Sequence, residues 1–158
     1  MDTSDTELLE LLNTFQLFNV HYLIVGGFAV NRYGYKRTTG DIDFYLKDTR
    51  ENRGNLIKAL VKMGYGEFDV LMDTPIIAGY CEIMMDNGIY ADLMMDITGL
   101  EKAKFDSYYE MATVDIVDNI PVRFIHYNHL LENKMKTGRN KDLLDVDELK
   151  KINANLKD

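Results

Sequence analysis

The sequence predicts a mixed α/β (α+β) domain, because helical and strand-like apolar patterns follow one another irregularly along the chain. A helical stripe opens the chain, short apolar runs bounded by glycine follow, and two hairpin sequences precede a helical C-terminal segment. The 158 residues contain no internal repeat, low-complexity stretch or linker rich in Pro, Gly or Ser. We therefore predict one domain that spans residues 1–158.

Helices and strands alternate in the first part of the chain. Ser4 and Glu7 have capping-box spacing, and the leucines after them repeat with helical period, which predicts a helix from about Asp5 to Phe18. The apolar run His21–Val25, stopped by two glycines, predicts a buried strand. Phe28–Tyr33 is a short predicted helix.

The middle of the chain begins with an alternating strand and a capped helix. Asp41–Leu46 alternates polar and apolar residues, which is typical of a strand. Asp48 or Thr49 is the expected N-cap of a helix that ends at Gly64.

Two hairpins and three helices complete the predicted order. Asp86-Asn87-Gly88 is a strong hairpin turn, and Pro121 predicts that its strand lies at a sheet edge. The remaining predicted elements are the strands Tyr80–Met85, Ile89–Ile97, Val114–Val117 and Ile120–Ile125 and the helices Glu101–Met111, Tyr127–Thr137 and Lys141–Asn153, with a break at Gly138.

Composition excludes several classes of function. Lys and Arg number 18 against 26 Asp and Glu, for a net charge of −8, so we expect no broad nucleic-acid-binding surface. A single cysteine excludes a disulfide framework and a multi-cysteine zinc site. The first residues do not resemble a signal peptide, and no apolar run is long enough to cross a bilayer. We therefore expect a cytoplasmic protein without membrane contact.

The pair Gly26-Gly27 lies between a predicted strand and a predicted helix. Glycine there permits a ligand to approach the backbone, and the N–H groups at a helix start can bind phosphate oxygens. Taken alone, the pair indicates an ordinary strand-to-helix turn.

Three aspartates are the candidate metal ligands. Asp41 and Asp43 are two residues apart on one strand, so both carboxylates lie on the same face and repel each other unless a cation neutralises them. Asp92 is an acidic residue in a strand whose alternate positions are apolar. A turn-forming role for the first two, and a lysine partner for Asp92, are the alternative interpretations.

The combination of these features resembles the nucleotidyltransferase superfamily of DNA polymerase β. The segments Leu23–Val30 and Lys36–Asp43 are similar to the minimal prokaryotic branch, which includes the nucleotidyltransferase-like toxins of abortive-infection systems. The resemblance includes Lys134 and Gly138–Asp145, and it covers about Tyr22 to Leu149.

The resemblance implies a minimal nucleotidyltransferase fold and a role for each matching residue. Gly26 and Gly27 would border the triphosphate of a nucleotide, while Asp41 and Asp43 would ligate Mg²⁺, for which Mn²⁺ can substitute. Asp92 would complete a two-metal site or act as the base toward an acceptor hydroxyl.

Several cations accompany the acids in the sequence. Those expected near the nucleotide are Lys36, Arg37, Lys134, Arg139 and Lys141. Alternatively, Arg37 simply offsets Asp41, Lys134 lies on a solvated helix face, and Arg139 or Lys141 pairs with Asp142 and Asp145. The sequence alone does not choose between these interpretations.

The implied activity is the transfer of a nucleoside monophosphate from a triphosphate to a hydroxyl group, with release of pyrophosphate. The acceptor is a protein side chain, a tRNA end or a small hydroxylated molecule. The alternative is a nucleotidyltransferase-like binding module with weak or no catalysis, such as one component of a toxin–antitoxin pair with a small protein partner.

Overall fold

A computed structural model describes residues 5–157, with the backbone alone at residue 157. Its helices are α1 (Thr6–Leu17), α2 (Gly26–Arg32), α3 (Arg50–Lys62), α4 (Phe105–Glu110), α5 (Tyr127–Thr137) and α6 (Asn140–Lys157). Its strands are β1 (Tyr22–Val25), β2 (Asp41–Leu46), β3 (Glu82–Met84), β4 (Tyr90–Met94), β5 (Thr113–Val117) and β6 (Ile120–Phe124). The predicted α/β class is therefore confirmed.

The six strands form one mixed sheet in the order β3-β4-β2-β1-β6-β5. The central strand β2 runs antiparallel to β1 and parallel to β4. The two hairpins, β3–β4 and β5–β6, extend the sheet on opposite sides of this centre. The buried strands β1 and β2 therefore occupy the middle of the sheet, where their ends support the candidate site.

Helix α1 covers the sheet face opposite to the aspartates of β2. The Phe15 ring lies 5.5 Å from the Tyr22 ring and 5.3 Å from the Phe44 ring, measured between centroids. Successive residues of a strand point to opposite faces, so the Asp43 side chain lies on the face that α1 does not cover. The second face is also largely buried, with Tyr45 packed on Phe105, and the aspartates lie where its cover ends.

The helix ends follow local capping chemistry. The Asp5 side chain accepts a hydrogen bond from the Leu8 N–H at 3.0 Å, and the Thr49 side chain accepts one from the Asn52 N–H at 3.1 Å. The predicted capping box involves Ser4, which lies outside the described residues. Gly138 ends α5 in a left-handed conformation, with φ of 67°, as its place between the two predicted helices suggested.

Two predictions of local structure are wrong. The predicted helix over Glu101–Met111 is divided into a 3-10 turn at Lys102–Lys104 and the shorter α4. Pro121 lies on β6, which is an inner strand, while β5 forms the edge. Proline is tolerated there because β6 meets β1 at the pair Ile24–Phe124, beyond the position where Pro121 lacks its N–H.

No helix among residues 5–157 is long and apolar enough to span a membrane.

Asn52 joins α3 to the ends of β1 and β2. Its side chain accepts a hydrogen bond from the His21 N–H at 2.8 Å and donates to the His21 and Lys47 carbonyls at 3.1 and 2.8 Å. Because the residue is only 4% exposed, water cannot replace these bonds.

Replacing Asn52 with alanine is expected to lower the free energy of unfolding by about 2–4 kcal/mol, since buried backbone groups lose their partners. Urea denaturation measures the change. The matched control is Asn55→Ala in the same helix, where one exposed bond of 3.5 Å is lost and the expected change is below about 0.5 kcal/mol. Equal effects of the two substitutions would contradict this account of Asn52.

Candidate functional site

A cleft of about 540 Å³ opens between the ends of the central strands and the helical hairpin α5–α6. It contains every residue that the sequence analysis placed in the site except Lys36, whose ammonium group instead donates a hydrogen bond to the Asn31 carbonyl at 3.1 Å. Its lining includes Gly26, Gly27, Arg37, Asp41, Asp43, Gly79, Asp92, Lys134, Arg139, Lys141 and Asp142.

Strand pairing brings the three candidate aspartates together. In the β2–β4 register, Asp43 lies opposite Asp92, and Asp41 precedes Asp43 by two residues on the same face. On the other side of β2, Val25 pairs with Asp43, so the strand β1 ends beside the acidic row. The structure thus places three carboxylates on one sheet face, at the end of β1 where Gly26 follows.

Gly26 is required by the close approach of Asp43. Its φ is +64°, a conformation that side chains disfavour, and a Cβ built there would overlap the Asp43 carboxylate. At Gly27, a Cβ would lie 2.8 Å from Thr39 Oγ1 and 3.3 Å from Arg37 Nη1. The two glycines therefore make room for functional side chains, which an ordinary turn would not need.

No three His, Cys, Asp or Glu side chains within residues 5–157 are grouped closely enough to hold a metal ion as they stand. The Asp92 carboxylate accepts a hydrogen bond from the Gly79 N–H, which lies 3.3 Å from both of its oxygens. The donor set of Asp41, Asp43 and Asp92 nevertheless fits Mg²⁺ or Mn²⁺, which prefer oxygen ligands.

Electrostatics at the acidic row favour the binding of a cation. Burial, then the charges of Asp92 and Asp41, raise the pKa of Asp43 to about 6. Burial likewise raises the pKa of Asp92 to about 6, with further contributions from Glu82 and Asp41, against the opposing Gly79 hydrogen bond. Among the described residues, none of Asp41, Asp43 and Asp92 forms an ion pair. The lysine partner considered for Asp92 is therefore wrong.

Cations line the opposite wall of the cleft. Lys134 is 5% exposed, so its assignment to a solvated helix face is wrong. Its Nζ lies 3.1 Å from Asp142 and 3.0 Å from Asp145. Arg139 pairs with Asp142, as one alternative from the sequence proposed. Arg37 pairs with Asp145, so the interpretation that it offsets Asp41 is also wrong.

Sequence analysis missed Asp142 and Asp145 as residues of the site. Each is 1% exposed, although aspartates on a C-terminal helix normally lie in solvent. Burial opposes the ionisation of Asp142, but hydrogen bonds from Arg139 and Lys134 outweigh it and lower the pKa of Asp142. The signal that identifies them is helical spacing, because the buried residues Val146 and Leu149 share their face of α6.

The raised pKa of Asp43 makes its charge unfavourable for folding. The folded state binds the Asp43 proton more tightly than the unfolded chain, so the penalty is absent at pH 4 and complete above about pH 6. Asp43→Asn is therefore expected to raise the free energy of unfolding by about 1–2 kcal/mol at pH 7.5 in EDTA.

The gain from Asp43→Asn should shrink as the pH falls to 4, which urea denaturation at several pH values measures. Asp73→Asn is the control, since this side chain is 85% exposed and the expected change is below about 0.5 kcal/mol. A pH-independent effect of Asp43→Asn would contradict the assignment of the raised pKa.

Comparison with known proteins gives matches at the level of structure. No protein-family model matches the chain, and no curated protein is similar to it in sequence. The lincosamide antibiotic adenylyltransferase LnuA, solved with lincomycin bound, matches 96% of this chain and 99% of its own length, with a TM-score of 0.58 and 19% identity.

Two further solved structures match most of the chain. A protein of Thermotoga maritima described as a nucleotidyltransferase covers 89% of this chain and matches over 88% of its own length, with a TM-score of 0.59 and 13% identity. The antibiotic-resistance factor ANT(2'')-Ia covers 99% of this chain over 93% of its own length, with a TM-score of 0.57 and 15% identity. These matches agree with the resemblance inferred from the glycine pair and the aspartates: the chain has the nucleotidyltransferase fold.

Proposed function

We propose that the protein is a metal-dependent nucleotidyltransferase, which transfers a nucleoside monophosphate from a nucleoside triphosphate to a hydroxyl acceptor. The observation that carries the proposal is the division of one cleft into an acidic face without counter-charge and a cationic wall. A metal–triphosphate complex neutralises both, because the metal ion meets the carboxylates while the phosphates meet the arginines. A nucleotide substrate also fits the cytoplasmic location expected from the sequence.

Asp41, Asp43 and Asp92 are the residues that would hold one or two Mg²⁺ or Mn²⁺ ions. The metal supplies neutralisation of the phosphate charge during the displacement. The protein contributes carboxylates fixed by the central strands, so the charges are in place before the substrate arrives. Burial and neighbouring acids raise the pKa of Asp43 and of Asp92 to about 6, so a bound cation would stabilise their ionised forms.

The chain's other residues bind and orient the reactants. Gly26 and Gly27 leave space for the triphosphate, and Arg37 and Arg139 donate hydrogen bonds to it. The acceptor oxygen attacks the α-phosphorus, the bond from that phosphorus to the bridging oxygen breaks, and pyrophosphate leaves. If Asp41 and Asp43 hold the metal without it, Asp92 is the residue that would take the proton of the acceptor hydroxyl.

A small hydroxylated molecule is the acceptor that the cleft favours. The volume of about 540 Å³ suits a nucleotide with a small second substrate, and the net charge of −8 opposes a tRNA backbone. The structural neighbour LnuA, a lincosamide antibiotic adenylyltransferase, was solved with the small molecule lincomycin bound. A protein side chain remains the alternative acceptor from the sequence analysis.

Calorimetry with each nucleoside triphosphate and Mg²⁺ tests the binding step without knowledge of the acceptor. We expect metal-dependent binding by the wild type and its loss, by at least about 100-fold in affinity, in the double variant Asp41→Asn/Asp43→Asn, because the metal loses two ligands. Asp115→Asn, which breaks an ion pair with Arg32 away from the cleft, should bind as the wild type does.

Retention of metal-dependent binding in the double variant would refute the assignment of the ligands. If the wild type binds the metal–nucleotide tightly but transfers no label from an α-³²P-labelled nucleotide to any acceptor offered, a binding module, such as a toxin–antitoxin component, becomes the better description.

Gly26→Ala tests the close approach of backbone and carboxylate. The added methyl group overlaps Asp43 and strains a positive φ, so we expect nucleotide binding to fall at least about tenfold. The control is Gly54→Ala within α3, where the added Cβ meets nothing within 4 Å and the substitution should stabilise the helix by about 0.5–1 kcal/mol. Calorimetry and thermal unfolding of both variants give the comparison, and unchanged nucleotide affinity in Gly26→Ala would contradict the site.

A further inference from the structure

Five side chains of alternating charge form a continuous chain of ion pairs along one wall of the cleft. Arg37 binds Asp145, Asp145 binds Lys134, Lys134 binds Asp142, and Asp142 binds Arg139. We call these five residues the ion-pair chain. Three cations and two anions leave it with a net charge of +1.

The middle of the ion-pair chain is buried and its ends are exposed to solvent. Lys134, Asp142 and Asp145 are 5%, 1% and 1% exposed, respectively. The side chains of Arg37 and Arg139 are 26% and 60% exposed. The two residues that can reach a ligand are therefore the two arginines, and the buried residues act on a ligand through them.

Each arginine binds its aspartate through the same edge of the guanidinium group. Arg37 donates from Nε at 2.9 Å and from Nη2 at 3.0 Å to the two oxygens of Asp145. Arg139 donates from Nε at 2.7 Å and from Nη2 at 3.4 Å to the two oxygens of Asp142. Because the guanidinium is planar and rigid, this pairing fixes its orientation and turns Nη1 away from the aspartate.

The direction of Nη1 of Arg37 is set by the structure. A Cβ placed on Gly27 would lie 3.3 Å from this atom, so Nη1 lies against the glycine pair where the phosphates are expected. Thr39 Oγ1 lies on the same side, 2.8 Å from the same hypothetical atom. Arg37 Nη1 and the Thr39 hydroxyl group thus both lie beside the backbone of Gly27.

Every oxygen of the two aspartates is already paired with a cation of the chain. Asp145 Oδ2 accepts from Arg37 and lies 3.0 Å from Lys134 Nζ, while Oδ1 accepts from Arg37. Both oxygens of Asp142 accept hydrogen bonds from Lys134 and Arg139. These acids therefore differ from Asp41, Asp43 and Asp92, whose oxygens meet no cation of the described chain.

Stability alone does not account for this arrangement. Buried ion pairs recover their desolvation cost only with good geometry, and apolar residues of similar volume often serve packing equally well. The helix α6 already has buried Val146 and Leu149 to hold it against the domain. What apolar residues cannot do is to fix the direction of two guanidinium groups.

We propose that Asp145 and Asp142 are positioning residues for the triphosphate. They act through Arg37 and Arg139, whose Nη1 groups they aim at the β- and γ-phosphates, and Lys134 joins the two aspartates so that both arginines keep one geometry. The inference rests on the proposed function, because it assigns these arginines to the nucleotide. It predicts that Asp145 matters for the phosphate chain and not for the base or ribose.

The test is calorimetric binding of ATP, ADP and AMP with Mg²⁺ to the wild-type protein and to Asp145→Asn. We expect the affinity for ATP to fall about 10- to 100-fold in Asp145→Asn, as is usual when the partner that orients a ligand-binding group is removed. ADP should lose less affinity than ATP, and AMP should change less than about twofold.

Two further variants identify Arg37 as the group through which Asp145 acts. Arg37→Lys keeps the charge but cannot bind Asp145 through two donors, so it should reproduce most of the loss for ATP. In an Arg37→Gln background, Asp145→Asn should weaken ATP binding much less than it does in the wild type, because the group that it orients is gone.

Two controls separate positioning from folding. Asp115→Asn breaks another two-donor pair, in which Arg32 Nε and Nη2 bind Asp115, and neither residue lines the cleft. Asn52→Ala is expected to destabilise the fold, and Asn52 neither lines the cleft nor belongs to the ion-pair chain. Both controls should bind ATP as the wild type does, at a temperature where thermal unfolding shows every variant to be folded.

Several outcomes would overturn the inference. ATP affinity that is unchanged in Asp145→Asn refutes it, and so does an equal loss for ATP and AMP, which would indicate a merely structural role. A comparable loss in Asn52→Ala refutes it in the same way. If the wild type binds no triphosphate with Mg²⁺, the proposed function itself fails and the inference fails with it.

Discussion

The repulsion between carboxylates on one face of the central sheet is the constraint on which the candidate site depends. The strand β2 pairs with β4 in parallel, and this register sets Asp43 directly opposite Asp92, with Asp41 on the same face. Like charges at such positions destabilise a sheet unless a cation intervenes. Burial first, and then the charges of neighbouring acids, raise the pKa of Asp43 and of Asp92 to about 6.

The remainder of the domain offsets this destabilisation by apolar packing and places positive charge opposite the aspartates. Phe15, Tyr22 and Phe44 pack on the opposite face, so the central strands are held by apolar contacts that do not involve the acids. The glycine pair after β1 removes the side chain that would otherwise occupy the space beside Asp43. The helical hairpin α5–α6 then places cations across the cleft.

The cationic wall is organised by buried acids rather than by free basic residues. Lys134 has two aspartate partners, and each arginine has one, so the wall keeps a modest net positive charge with fixed geometry. A wall of unpaired lysines would attract phosphate with less directional control, because an ammonium group is a flexible point charge. Under the proposed function, the carboxylates would hold a cation and the oriented guanidinium groups an anion.

Much of the fold followed from local pattern. The periodicity of Leu8 to Phe15, the alternation in Asp41–Leu46 and the turn at Asp86-Asn87-Gly88 each predicted the observed element, since helices and strands place apolar residues on one face. The helix over Glu101–Met111 and the edge position inferred from Pro121 were the exceptions. In the first of these segments a 3-10 turn precedes the shorter α4, and the apolar pattern of the sequence did not distinguish a 3-10 turn from an α-helix.

The sequence by itself determined the acidic half of the candidate site. Residues two apart in a strand share a face whatever surrounds them, so the side chains of Asp41 and Asp43 had to lie on the same face. Together with Gly26 and Gly27, they indicated the nucleotidyltransferase fold. Only the tertiary structure decided how the cations are used. Asp145 lies 108 residues from Arg37 in the chain, and no local pattern encodes the packing of α6 that brings their side chains to 2.9 Å. Residues that are neighbours through secondary structure can be read from spacing, whereas ion pairs between distant elements exist only once the core has fixed where those elements lie.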